Sequence, residues 1–337
     1  MKEFVLPDIY FDEKYCKLYE EVERGASNCF KYSDENGSVC NNFMKRPVPW
    51  LIDGEQYFDI VTPYVYGGPI VLEANDREAL IENYWNAWNE YCEKEKIVCE
   101  FVRFHPLLKN QMDFQEVYGA QLNRHTLAID LSDDFFMTQF TAKCRNTIRK
   151  SEKLGVVCEI DENCDSIETF CEIYYKTMQK DNADDFYFFS MNYFNEMKAA
   201  FKGQMFLVNA KLEEKTIASS LFLVSEDYMH YHLSATDPEY YSFAANNFVL
   251  KVAGDYGKEN GKKWLHLGGG LSSSEEDSLF KFKRSFARED RNLQEFWLGR
   301  AIYNQVVYEK LIQKRREEGC LDEETGFFPK YRAPKVQ

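Results

Sequence analysis

The polar residues best suited to chemistry fall in four stretches. A basic run holds Lys143, Arg145, Arg149, Lys150 and Lys153, in which Arg145 and Arg149 stand one helical turn apart. Such a pair suits a diphosphate or a nucleic-acid phosphate, through planar charge-assisted hydrogen bonds; a solvated basic face paired with Glu152 is the plainer alternative. In Tyr228–Ala235, strand alternation puts Tyr228, His230, His232 and Ser234 on one face and Met229, Tyr231 and Leu233 on the other. His232 there would orient an acceptor or relay a proton at neutral pH, or both histidines are hydrogen-bonded structural residues. Two histidines at i, i+2 without a third ligand predict no metal site.

The third stretch is Gly268-Gly269-Gly270, followed by Asp277 and by Phe282-Lys283. Glycines admit close backbone approach by a substrate or simply end a strand in a turn. Lys283 suits stabilisation of negative charge developing on a carbonyl or leaving oxygen, the alternative being a solvated lysine on a strand or loop beside a core phenylalanine. Asp277 would position Lys283 or an acceptor amine, or belong to a surface run with Glu275 and Glu276. Fourth, Arg103 and His105 alternate at a strand end, where both would touch one ligand in a cleft between lobes.

Aminolysis of an activated ester or thioester, the reaction that the family resemblance given below implies, needs a neutral amine, a held carbonyl, donors for the oxyanion and a proton route to the leaving group. No covalent intermediate is required, and the sequence has no G-x-S-x-G elbow. Cys144 and Cys171 are candidate nucleophiles only in the weak sense that any free cysteine is; buried thiols usually act as small apolar groups.

The elements that must carry these groups read as two α/β sections with mixed sheets. The first has a helix over Glu13–Glu23, a polar loop over Ser33–Ser38, β-runs at Pro49–Ile52 and Tyr57–Thr62, a Gly-Gly-Pro turn at Gly67–Pro69, a helix over Arg77–Lys94 and a strand over Ile97–Phe104. Trp85 and Trp88 on that helix read as core. The second has a basic helix over Phe135–Leu154, a strand at Val156–Ile160, helices over Ile167–Lys180 and Asn192–Phe201, and a meander of Met205–Leu212, Ile217–Val224 and Tyr228–Ala235. A helix over Phe243–Asn260 and a strand at Trp264–Leu267 follow. Helix-then-strand recurs in both sections, which predicts a duplicated lobe: residues 1–130, then 131–290, then a C-terminal helix (Ala301–Glu317) and tail in 291–337. The start of the later helix, Ser242–Asn247 with Ser242 as cap, offers unpaired N–H groups to an anion.

The array Cys144–Lys153, Tyr174-Tyr175-Lys176-Thr177-Met178, Leu267–Gly270 and Asp277–Lys283, with Tyr66–Pro69 and Arg103–Pro106 upstream, resembles the Fem family of peptidoglycan-bridge aminoacyltransferases over about residues 10–310. That family is a tandem pair of folds of the GNAT superfamily. The resemblance implies transfer of an aminoacyl group from aminoacyl-tRNA to an amino group of a cell-wall precursor, a nucleotide- or lipid-linked muropeptide, with Phe282-Lys283 at the transfer site and no tightly bound cofactor. Two features depart from relatives. No heptad insertion is present for a coiled-coil arm, and Tyr241–Asn246 replaces the Gly-rich phosphate loop of acyl-CoA members. An acyl-CoA-dependent N-acyltransferase acting on an amino sugar of a surface polysaccharide, and a non-catalytic precursor-binding module, are the competing readings.

Composition bounds the rest. The 337 residues, 45% hydrophobic, suffice for two cored domains. A net charge of −15 opposes broad adhesion to nucleic acid, so any contact with charged tRNA falls to local basic patches, the run above and Lys281, Lys283, Arg284 and Arg288. The apolar stretches Ile60–Leu72 and Ile217–Ser225 fall short of the roughly 18–20 residues a spanning helix needs. Residues 1–8 show no secretory signal. Ten cysteines without a C-x-x-C pair fit reduced thiols, and with them a cytoplasmic protein.

Overall fold

The computed structural model describes residues 6–335; residues 1–5, part of the stretch in which no secretory signal is read, and residues 336–337 lie outside the described residues. In chain order the elements are α1 (Glu13–Lys17), α2 (Glu20–Glu23), β1 (Ala26–Asp34), β2 (Gly37–Pro47), β3 (Phe58–Val61), β4 (Ile70–Ala74), α3 (Arg77–Lys94), β5 (Ile97–Arg103), α4 (Gln111–Phe114) and β6 (Gln121–Asp130). Then come α5 (Phe135–Thr138), α6 (Ala142–Lys153), β7 (Val156–Asp161), α7 (Ile167–Lys180), α8 (Met191–Ala200), β8 (Met205–Leu212), β9 (Lys215–Val224) and β10 (Tyr228–Thr236). The last are α9 (Ala245–Glu259), β11 (Trp264–Gly268), α10 (Ser278–Arg284), β12 (Leu293–Ile302) and α11 (Gln305–Glu317).

The chain divides into two compact units. One comprises Leu6, Tyr10–Asn123 and the residues from Phe296 on; the other comprises Pro7–Ile9 and Arg124–Glu295. In the first unit β1, β2 and β3 form an antiparallel set, β4 pairs the far end of β2, and α3 leads into β5, which runs parallel to β3. In the second, β7–β10 form an antiparallel meander and α9 leads into β11, parallel to β10. Each plan ends on one more antiparallel strand: β12 beside β5, and β6 beside β11.

Helix α3 forms where the periodicity places it. Asp76 accepts the Ala79 N–H as its cap, and Leu80, Tyr84 and Trp88, spaced four apart, are fully buried. Their partners are Phe43, Val102, Phe104, Phe114 and Tyr118. Trp88 is core as expected, and Trp85 meets the Tyr118 ring edge-on at 5.0 Å. The buried Glu100 on β5 accepts hydrogen bonds from Trp88 Nε1 (3.0 Å), Tyr118 (3.1 Å) and Tyr303 (2.6 Å). Burial raises its pKa, and the three donors oppose that rise.

The second unit's core lies between its sheet and helices α6 and α9, through Ile148, Phe206, Phe222, Met229, Val249, Leu250 and Leu265. Several sequence readings shift in detail. The helix expected over Glu13–Glu23 is two short ones, and that over Phe135–Leu154 breaks at Gln139–Thr141, where Thr141 caps α6 through the Cys144 N–H. The polar stretch Ser33–Ser38 is the tip of the β1–β2 hairpin, and Pro49–Ile52 contributes only an isolated bridge from Ile52 to Glu55. Among the described residues, no helix is long and apolar enough to cross a membrane.

Candidate active site

The Gly-rich stretch and Lys283 meet in the second unit. Strand β11 ends at Gly268, whose φ of +76° is a left-handed conformation suited to glycine. The chain then wraps onto α10, and Lys283 Nζ donates to the Gly269 carbonyl at 2.8 Å. A lysine on a strand or loop was the plainer alternative; instead Lys283 sits on a helix and is 8% exposed. Burial pushes its pKa down to about 8, against the opposing charge of Asp277. Phe282 is half-buried, packs on the core and meets Phe286 edge-to-face at 5.1 Å.

Asp277 is the N-cap of α10. It accepts the Phe280 N–H at 2.9 Å and the Ser272 N–H at 3.2 Å. These backbone hydrogen bonds, Phe280 first, hold its carboxyl below the usual range. Arg124 on β6 donates to the carbonyls of Gly270 (3.1 Å) and Ser272 (3.2 Å), so it fixes the same loop from the opposite side. His266 on β11 is buried with Nε2 2.9 Å from Thr126 Oγ1. Neither Arg124 nor His266 was singled out from sequence. β6 carries no clear alternation before Leu127, and His266 stands in a strand whose neighbours are all large.

The alternation read for Tyr228–Ala235 fails at one point. The β9–β10 register pairs Tyr231 with Phe222 and Leu233 with Leu221, so His232 is the extra residue of a β-bulge. The bulge moves Ser234 to the side of Met229 and Tyr231, where it pairs with Ser220 at 3.1 Å, and puts Leu233 on the side of His230. His230 is buried, with Nε2 2.8 Å from Asp8 Oδ2, and Asp8 also accepts from Ser225. His232 keeps some exposure, yet desolvation of its ring, aided by His230, pushes its pKa down to about 3. Near pH 7 the ring is therefore held neutral. Strands β10 and β11 pair in parallel over Tyr228–His230 and Trp264–His266 only. Beyond His230 and His266 the parallel pairing ends.

Other candidates take plainer places. Arg145 donates to the carbonyls of Met137 and Phe140, tying down the end of α5, while Arg149 is exposed and lies over the Phe136 ring at 5.7 Å. The two are not aligned on one ligand by these contacts. Helix α9 starts at Ala245, after a 3-10 turn and after Ala244 at φ +51°, and without a side-chain cap. Ser242 therefore does not cap it. Cys144 and Cys171 are buried with raised pKa values, Cys171 to about 12, the opposite of an activated nucleophile.

In the first unit Arg103 and His105 separate. Arg103 donates to the Thr62 carbonyl at 2.7 Å, whereas His105 lies beyond β5, fully buried, its Nδ1 accepting the Leu108 N–H at 3.1 Å. Arg103 lines a cavity of about 690 Å³ with Arg46, Arg300, Arg315, Arg332 and Lys335. Arg315 is 7% exposed; its Nη2 donates to the Ala333 carbonyl, and its Nε has no hydrogen-bond partner.

The model of the acetyltransferase (GNAT) domain family matches residues 138–284. No curated protein matches the sequence. Among solved structures, FemX superposes with a TM-score of 0.67 at 13% identity, covering 88% of this chain and 92% of that one. The C-terminal domain of a putative lysylphosphatidylglycerol synthetase from Agrobacterium fabrum gives 0.55 at 12% identity, covering 91% of each chain. A tandem GNAT protein from the clavulanic acid biosynthesis pathway gives 0.51 at 10% identity, covering 90% of this chain and 98% of that one. The fold is that of a tandem GNAT acyltransferase. Within that class it is of the FemX-like kind, as the sequence resemblance led one to expect.

Proposed function

We propose that this acyltransferase works in the cytoplasm, moving an aminoacyl group from aminoacyl-tRNA to an amino group of a peptidoglycan precursor, a nucleotide- or lipid-linked muropeptide. The observation that carries the reading is Lys283, a buried cation beside Phe282 whose ammonium is fixed on the Gly269 carbonyl. In this reaction the acceptor nitrogen attacks the ester carbonyl carbon, the bond to the ribose oxygen breaks, and the proton lost by the amine ends on that oxygen. Lys283 stabilises the negative charge on the carbonyl or leaving oxygen, which a desolvated cation does more strongly than one in water. Gly268 and Gly269 let substrate approach the backbone, and Asp277 and Arg124 position the loop and helix that bear the lysine. The first unit's cationic cavity, with Arg103 in its wall, is suited to an anionic group of the precursor. Arg149 and its basic neighbours are the tRNA-facing candidates; Arg145, His230, His232 and His105 serve by holding structure or orienting neighbours.

A second reading, acyl-CoA as donor to an amino sugar, draws on the acetyltransferase family model over residues 138–284. The experiment is incorporation of labelled amino acid from charged tRNA into a muropeptide-nucleotide, with thiol release from acetyl-CoA followed in parallel. Incorporation that requires tRNA and is lost in Lys283→Ala supports the first reading. Thiol release without tRNA supports the second.

A further inference from the structure

Two of the ten cysteines, Cys29 on β1 and Cys40 on β2, bring their Sγ atoms to 3.6 Å. The register pairs Cys29 with Asn42 and Lys31 with Cys40, so the thiols are diagonal neighbours on one face of an antiparallel ribbon. Cys40 is buried beside Phe11 and Ile70, and Cys29 is half-buried. The acyl-transfer chemistry uses neither. A disulfide bond is about 2.05 Å long, so closure brings the two sulfurs roughly 1.5 Å closer, by side-chain rotation together with a small shift of the ribbon backbone.

The surroundings distinguish this pair from the remaining thiols. Burial pushes Cys16, Cys158, Cys164 and Cys171 up to about 12. Cys40 moves the other way: the hydrogen bond from Cys29 lowers it, with help from the Lys31 ammonium, while Cys29 is raised as the proton's holder. Lys31 is itself ion-paired with Glu13 at 2.6 Å, which fixes it near the pair.

We propose that Cys29 and Cys40 form a reversible dithiol site whose substrate is a low-molecular-weight disulfide. The two sulfurs share a proton that either can hold; once it passes to Cys40, the half-buried Cys29 thiolate attacks one sulfur of the disulfide and displaces a thiolate, which is protonated by solvent. Cys40 then attacks the Cys29 sulfur of the mixed disulfide, breaking that bond and releasing the second small thiol. Two protein thiols and one small disulfide become one protein disulfide and two small thiols, with two electrons passing from protein to oxidant.

The test uses the full chain carrying Cys158→Ser and Cys320→Ser, since those two thiols are also partly exposed. It is incubated with glutathione disulfide, then digested and mapped without reduction. The expected result is a linked Cys29–Cys40 peptide, two fewer free thiols, no retained glutathione, and full reversal by dithiothreitol. Cys40→Ser should stop at one glutathione on Cys29, and Cys29→Ser should acquire neither adduct nor link. A stable glutathione adduct on Cys29 while Cys40 is present would overturn the proposal. So would an unreacted Cys29 under conditions that modify Cys320 in the unsubstituted chain; both readouts need no variant of the pair to fold.

Discussion

Gly270 and Asp277 are in such close apposition that a Cβ on the glycine would stand 2.5 Å from Asp277 Oδ1 and 2.8 Å from its Cγ. That carboxylate caps the helix bearing Lys283, so the glycine's missing side chain is what lets loop and helix seat together. Gly270→Ala is expected to displace the cap, costing about 1–2 kcal/mol in urea unfolding and lowering kcat by roughly tenfold or more. Asp277→Asn keeps an oxygen to cap with and should be milder on both counts. Equal effects of the two changes would mean the apposition is unimportant.

Lys283 is a charge held where charge is unfavourable. Its folded pKa of about 8 lies below the roughly 10.4 of an unfolded lysine. Protonation is therefore favoured in the unfolded chain, and stability rises with pH between those two values and is flat below about 8. Lys283→Met should consequently unfold at higher urea than the parent at pH 7, by about 3 kcal/mol on the scale of roughly 1.4 kcal/mol per pKa unit, with the advantage vanishing above pH ~10.4. The same variant should lose acyl transfer. A Met variant that is inactive and less stable would instead point to misfolding.

If the lysine acts as a cation, kcat should fall as pH rises through about 8. Lys283→Arg, charged at all accessible pH values, should remove that descending limb even where its longer fork lowers the absolute rate. A limb that persists in the arginine variant would assign the titration to another group.

The first unit offers a purely structural test. Glu100 is buried with three donors, of which Tyr303 is the shortest at 2.6 Å. Removing it by Tyr303→Phe leaves a buried carboxylate with fewer partners and should cost about 1–3 kcal/mol in denaturant unfolding. Glu100→Gln combined with Tyr303→Phe should cost less than the sum of the two singles, because the donors and the acceptor form one network. Additive values would show that the hydroxyl and carboxylate act independently.

What was legible in the sequence was whatever rested on periodicity. Arg77–Lys94 and Ile167–Lys180 match α3 and α7 because their apolar spacing is regular and each buries one face. Lys283 and the three glycines were found by residue type and order. The strands β1, β2, β4, β6 and β12 were missed: β2 buries Val39, Cys40, Asn41, Asn42, Phe43 and Met44 in succession, which gives no alternation to read. The bulge at His232 was invisible because a one-residue insertion in the ladder depends on the neighbouring strand. Arg124 was missed for the related reason that its partners are carbonyls far along the chain, which no local pattern announces.

The way the units share out the chain bears on how the protein is made. The first unit's sheet is finished by residues from Phe296 on, the part of the chain that leaves the ribosome after the whole second unit. Until then β5 has an open edge of unpaired N–H and C=O groups, which invites association with other nascent chains. The second unit, with β6 already synthesised ahead of it, has all its strands once Glu295 emerges. The earlier-made half therefore cannot complete its sheet until the later-made half has been synthesised.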